Sequence, residues 1–182
     1  GKLDVVCFDK TGTLTEEGLD VLGLRVVQRP ANRFSDMLSE PSIILPTAPY
    51  ERDPTVDYSI NKAILYAMAT CHSLRLVDGE LLGDPLDVKM FQFTGWSFEE
   101  GEQRSGNVED DEQQRKLSPS VARPPPGMEY DIDDETDAAN KKPIELGVLK
   151  SFEFVSQLRR ASVVVRQFGS PSGAVYVKGA PE

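Results

Sequence analysis

The apolar positions of this chain change period several times, and each change marks an element. Leu3 to Phe8 is a short run of β-formers that ends at Asp9, the pattern of a buried parallel strand with a polar residue at its carboxyl end. Residues 20–27 alternate loosely and predict a strand leading away from it. From 28 to 58 the chain is rich in Pro, Ser and Asp around one apolar island, Ile43-Ile44-Leu45, and predicts loop with a single packed turn. Helical spacing takes over at 59–73, where Ile60, Ala63, Ile64, Ala67, Met68 and Cys71 fall on one face and Asp57 or Ser59 can cap the start. Residues 74–82 predict a strand pair turning at Asp78-Gly79. Asp84 as N-cap and Pro85 at the first helical position open a helix to about Phe93, ended by Gly95. Period two then returns, and 148–154, 161–168 and 173–178 predict three antiparallel strands.

Composition changes the picture in one place. Of a formal net charge of −10 over 182 residues, −9 falls between Glu99 and Asp137, where thirteen acidic residues face four basic ones. With Pro124-Pro125-Pro126 and few large apolar residues, this stretch cannot bury enough surface to offset the entropy of ordering. It predicts a disordered acidic insert over about 97–146. The rest is nearly neutral, and without a basic stripe carrying interleaved aromatics nucleic acid is not an expected partner. No apolar run approaches the roughly 18 residues of a membrane span, so these residues are expected to cross no membrane. Cys7 and Cys71 read as small buried hydrophobes in a reducing compartment. His72, the single histidine, lacks a neighbour at metal-ligand spacing and reads as a helix-end residue.

The chemistry concentrates in Asp9-Lys10-Thr11-Gly12-Thr13-Leu14-Thr15. A shorter Asp-Lys-Thr-Gly fragment after a strand is equally at home in a plain turn. The full run places a carboxylate where open α/β sheets build their sites, with hydroxyls, an ammonium and a glycine around it. That set suits a phosphoryl group held on a carboxylate, a nucleophile already ionised at pH 7. The run resembles the phosphorylation signature of the P-type ATPases. The resemblance implies that Asp9 attacks the γ-phosphate of ATP. It also implies that Mg2+ is held by the Asp9 carboxylate and the Thr11 carbonyl, and that Lys10, Thr11 and Thr13 neutralise or bind the phosphoryl oxygens. Soluble haloacid-dehalogenase-like phosphatases carry a second aspartate two positions after the nucleophile. Thr11 occupies that position here, which disfavours ester hydrolysis.

A second constellation closes the chain: Phe152-Glu153-Phe154 and Arg159-Arg160-Ala161-Ser162-Val163, then Tyr176-Val177-Lys178-Gly179-Ala180-Pro181-Glu182. Singly, Phe154 reads as core and the arginines as solvated. In this order they are similar to the ATP site of a P-type nucleotide-binding domain. That likeness implies that Phe154 stacks adenine, that Arg160 or its neighbour Arg159 contacts phosphate, and that Lys178 lies at the base or ribose. It further implies that Gly179 gives steric access, with Asp84 and Asp87 as the acidic pair across the pocket. Cys7-Phe8, Glu17-Gly18-Leu19-Asp20-Val21, Ala69-Thr70-Cys71-His72 and Gly83-Asp84-Pro85 narrow the resemblance to the fifth class, and within it to the polyamine-transporting branch of vacuoles and late endosomes.

The resemblance implies an α+β nucleotide-binding domain over 23–182, a twisted antiparallel sheet flanked by helices. Residues 1–22 would precede it as the first strand and loop of a haloacid-dehalogenase-like α/β phosphorylation domain, with a hinge near 22–27. It implies ATP and Mg2+ as ligands, and the remaining phosphorylation, actuator and transmembrane domains of one pump as partners. The setting would be the cytoplasmic face of a vacuolar or endolysosomal membrane. The chain reads as a fragment that does not complete the cycle alone; the alternative is a truncated, non-catalytic nucleotide-binding module.

Overall fold

The computed structural model describes residues 5–7, 20–101, 119–133 and 140–180. In chain order its elements are β1 (Val27–Gln28), β2 (Arg33–Phe34), α1 (Pro41–Ile44), a 3-10 turn (Pro49–Glu51), α2 (Tyr58–Thr70), β3 (Arg75–Val77), β4 (Glu80–Leu82), α3 (Pro85–Thr94), β5 (Ser97–Glu99), β6 (Ser120–Arg123), β7 (Leu146–Val155), β8 (Arg160–Gln167) and β9 (Ala174–Gly179). Strands β5 to β9 form one sheet in chain order, and every pair is antiparallel. The architecture is α+β, as expected for the larger part of the chain.

Local chemistry sets the element ends. Asp57 caps α2 by accepting from the Ser59 amide at 3.0 Å, and Asp84 caps α3 from the Leu86 amide at 2.9 Å. Gly95 ends α3 at φ 71°, a left-handed position open to glycine. Between β3 and β4, Asp78 and Gly79 both take positive φ, 51° and 85°, as a two-residue hairpin turn of the I′ kind demands.

One face of the sheet and the two longer helices enclose the core. Ala69, Cys71, Leu74, Phe91, Trp96, Ala122, Ile144, Leu146, Val163 and Val165 are all buried there. Full burial of a side chain the size of Leu146 or Phe91 contributes about 1.5–3 kcal/mol.

The stripe that α2 buries matches the expected one only at Met68 and, just past its end, Cys71. Asn61, Leu65, Tyr66, Met68, Ala69 and Thr70 are buried, whereas Ile60, Ala63, Ile64 and Ala67 are only half-buried. Two of the buried polar side chains bond backbone: Asn61 Nδ2 donates to the Ile44 carbonyl at 2.7 Å and Thr70 Oγ1 to that of Tyr66 at 2.6 Å. Satisfied in this way, polar residues can occupy the inner face.

The acidic stretch also departs from expectation. Within about 97–146, expected as one disordered insert, β5 pairs with β6 and β6 with β7, and Ala122 is fully buried. Averaging over an acid-rich stretch hid a short apolar alternation, and cations answer its carboxylates. Arg123 bridges Glu99 and Glu145, Lys62 holds Asp131 at 2.6 Å, and Arg52 holds Asp133 at 2.7 Å. Residues 102–118 and 134–139 lie outside the described residues.

At the amino end, Val5, Val6 and Cys7 are exposed and outside any strand, so Cys7 is not the buried hydrophobe expected of it. A parallel strand forms only beside others, and the described residues supply it no ladder. The strand expected at 20–27 shrinks to Val27–Gln28 and a Leu24–Leu38 bridge.

Candidate functional site

Three elements converge on Lys178, near the end of β9. Its ammonium donates to Asp87 Oδ1 on α3. Asp87 lies in the first turn of that helix, where the aligned backbone dipoles favour an anion, and its side chain is 11% exposed against 27% for Lys178. Beneath them the end of α2 is tied to the sheet. Cys71 Sγ points its weak donor at the carbonyls of Ala161 and Tyr176, each at 3.8 Å. Burial pushes the Cys71 thiol up, with the neighbouring Lys178 opposing, so the sulfur packs and does not react.

His72 follows on the same side. Leu74 N–H donates to Nδ1 at 3.3 Å, which leaves Nε2 to donate to the Ala69 carbonyl at 3.1 Å, a neutral ring between the edges of Phe91 and Phe98. Burial pushes its pKa below the usual 6.5, Lys178 pushes the same way, and Asp87 and the Ala69 bond oppose. Below about pH 6.5 the unfolded chain takes up a proton that folded His72 refuses, so stability should fall as pH drops towards 5. Urea midpoints across that window should fall less steeply in His72→Gln; parallel curves would remove His72 from the account.

The strand register arranges the other candidates. Lys178 pairs with Ala161 on β8. Glu153 and Phe154 fall in the irregularity between Phe152 and Val155, opposite Ala161, so this bulged stretch of β7 stands across Ala161 from Lys178, two interstrand spacings or roughly 10 Å away. Phe154 is 61% exposed, which rules out the core role its type suggests. Between these two the small Ala161 makes a low floor. Arg160 opens β8 opposite Val155 and Gly179. Alternate strand residues face opposite ways, so Arg160 is turned from the face that carries Lys178. Arg159 precedes it in the β7–β8 turn with φ 49°, its amide donating to the Val155 carbonyl at 2.7 Å.

Asp84 is exposed and occupied in capping α3. Asp9, Lys10, Thr11 and Thr13 lie outside the described residues, and with them the expected Mg2+ ligands Asp9 and Thr11. A hollow of about 750 Å3 opens elsewhere, between the β1–β2 hairpin and the start of α2. Two of its carboxylates, Asp53 and Asp57, are already bonded by Thr55 and Ser59. Phe154 and Lys178 do not line it; Phe154 stands exposed near the β7–β8 end of the sheet.

No family model matches the chain. Its relatives are clear nonetheless. Over its full length it is 43% identical to the vacuolar cation-transporting ATPase YPK9 of Saccharomyces cerevisiae, of which it covers 13%. It is 37% identical to the human polyamine-transporting ATPase 13A3, covering 14%, and 37% identical to the human polyamine-transporting ATPase 13A2, covering 13%. The chain belongs to the P-type ATPases. Within them its full-length likeness is to the 13A group, the fifth class, and it spans about an eighth of the length of these relatives.

Proposed function

We propose that this chain is the ATP-gripping and phosphoryl-accepting part of an ion pump that moves polyamines or other cations out of a vacuolar or endosomal lumen. The observation that carries the nucleotide reading is the exposed Phe154, in the stretch of β7 across Ala161 from a Lys178 fixed by Asp87. An aromatic face beside a held ammonium suits a flat base with a polar edge. Adenine stacks on Phe154, and Lys178 donates to the base or ribose. Arg159, in the adjoining turn, reaches the phosphates better than Arg160, which the pleat directs to the other face.

Asp9 accepts the γ-phosphoryl group: a carboxylate oxygen bonds to phosphorus as the bond to the β–γ bridging oxygen breaks, and ADP leaves. Thr11 and Thr13 hydroxyls and the Lys10 ammonium take up charge on the phosphoryl oxygens, the main demand of this reaction. Asp9 and Thr11 would hold Mg2+, which would supply further charge neutralisation. The chain lies on the cytoplasmic face of the membrane, where ATP is found.

Titration of the chain with ATP, followed by backbone amide shifts, tests the grip. Phe154→Ala should weaken ATP by about tenfold, the value of one base–aromatic stack. Equal affinity of the two proteins would reject the site.

A further inference from the structure

The same register that places Lys178 assigns Gly179 an unexpected role. Gly179 is not among the glycines with positive φ, so its conformation does not require glycine. What requires it is a close approach. A Cβ there would lie 2.5 Å from the Arg159 carbonyl oxygen and 2.9 Å from Arg160 Cγ, both inside contact distance. Gly179 pairs with Arg160 and shares its face, opposite to the face that carries Lys178 and Ala161. The missing side chain therefore makes room for the β7–β8 turn, not for a base stacked on Phe154.

A hydrogen bond ties that turn to the end of β9. Ala180 N–H donates to the Arg159 carbonyl at 3.4 Å, the same oxygen that a Cβ on Gly179 would strike. Arg159 closes the hairpin loop at φ 49°, its amide bonded to the Val155 carbonyl at 2.7 Å, the left-handed position common at the end of such loops. Displacing its carbonyl would shift this end of the loop and the arginine with it.

We infer that Gly179 is a positioning residue for phosphate recognition: it lets the β7–β8 turn dock on β9 and so sets where the backbone of Arg159 stands relative to Lys178. The inference rests on the nucleotide reading above, and ligands with and without phosphates separate the two.

The chain and its Gly179→Ala variant are titrated with ATP and with adenosine, again by amide shifts. Gly179→Ala should weaken ATP about tenfold, the worth of one charge-assisted phosphate contact, and leave adenosine within twofold. In an Arg159→Ala background it should cost nothing more, whereas in an Arg160→Ala background its full effect should remain. A one-glycine insertion between Gln157 and Leu158 displaces the same turn without touching β9 and should give the same ATP-selective loss, which keeps the test sharp if the alanine variant fails to fold. Equal loss of adenosine and ATP would overturn the inference in favour of steric access to the base. Absence of any response to ATP in the unmodified chain would overturn the nucleotide reading, and the phosphate role with it.

Discussion

Replacing Ala122 by aspartate is expected to abolish cooperative folding, or to remove most of the stability. Ala122 lies in β6 between Phe98 of β5 and Leu146 of β7, with no exposed surface. A carboxylate there must enter an apolar cluster or force the strand out of the sheet. An unpaired buried charge costs several kcal/mol, against a total stability of about 5–15 kcal/mol for a domain. Added volume in a close-packed layer costs about 1–3 kcal/mol more. Urea unfolding followed by circular dichroism reads the result. An unchanged midpoint would mean that β6 belongs to a loose acidic insert after all.

That segment shows why part of the fold was illegible. Where a structure rests on neighbours in sequence, the residues declared it: Asp84, Pro85 and Gly95 bound α3, and Asp78-Gly79 turns β3 into β4. Ser120–Arg123 is different. Its four residues are too short a run to stand out against an acid-rich background, and they form a strand paired on both sides, with β5 and with β7. The inner face of α2 was hidden for a related reason. Nothing in the pattern announces that Asn61 finds the Ile44 carbonyl 17 positions away, yet that bond lets an amide occupy the core while Ile60 stays half-exposed.

The candidate site divides similarly. Residue types pointed to Phe154, Lys178 and Asp87, but their relation depends on pairing across long separations, 91 positions for the Lys178–Asp87 bond. Single-residue detail was beyond reach. That Arg160 is turned from the face of Lys178 depends on one step of the β8–β9 register, because shifting by one residue reverses every side chain. The same step redirects Gly179 from the base to the turn. The phosphorylation loop, the plainest feature of the sequence, falls outside the described residues, so its role rests on residue chemistry and on kinship.

The Lys178–Asp87 pair permits stability and nucleotide binding to be separated. Lys178→Met strips the counter-charge from a carboxylate whose side chain is 11% exposed. Breaking a fully buried pair costs about 3–5 kcal/mol; with Lys178 27% exposed, solvent screening reduces the expectation to about 2 kcal/mol. For a chain of this size that is a fall in Tm of roughly 4–8 °C. ATP affinity should fall as well, by about tenfold for one lost charged contact. Adding Asp87→Leu replaces the ion pair by two apolar side chains of similar bulk, a change that is often neutral or stabilising. The double variant should therefore recover the Tm and stay as weak for ATP as Lys178→Met alone. Recovery of affinity together with Tm would show that Lys178 acts on the nucleotide only by keeping α3 against β9. An undiminished Tm in Lys178→Met would show that the pair adds nothing to the fold.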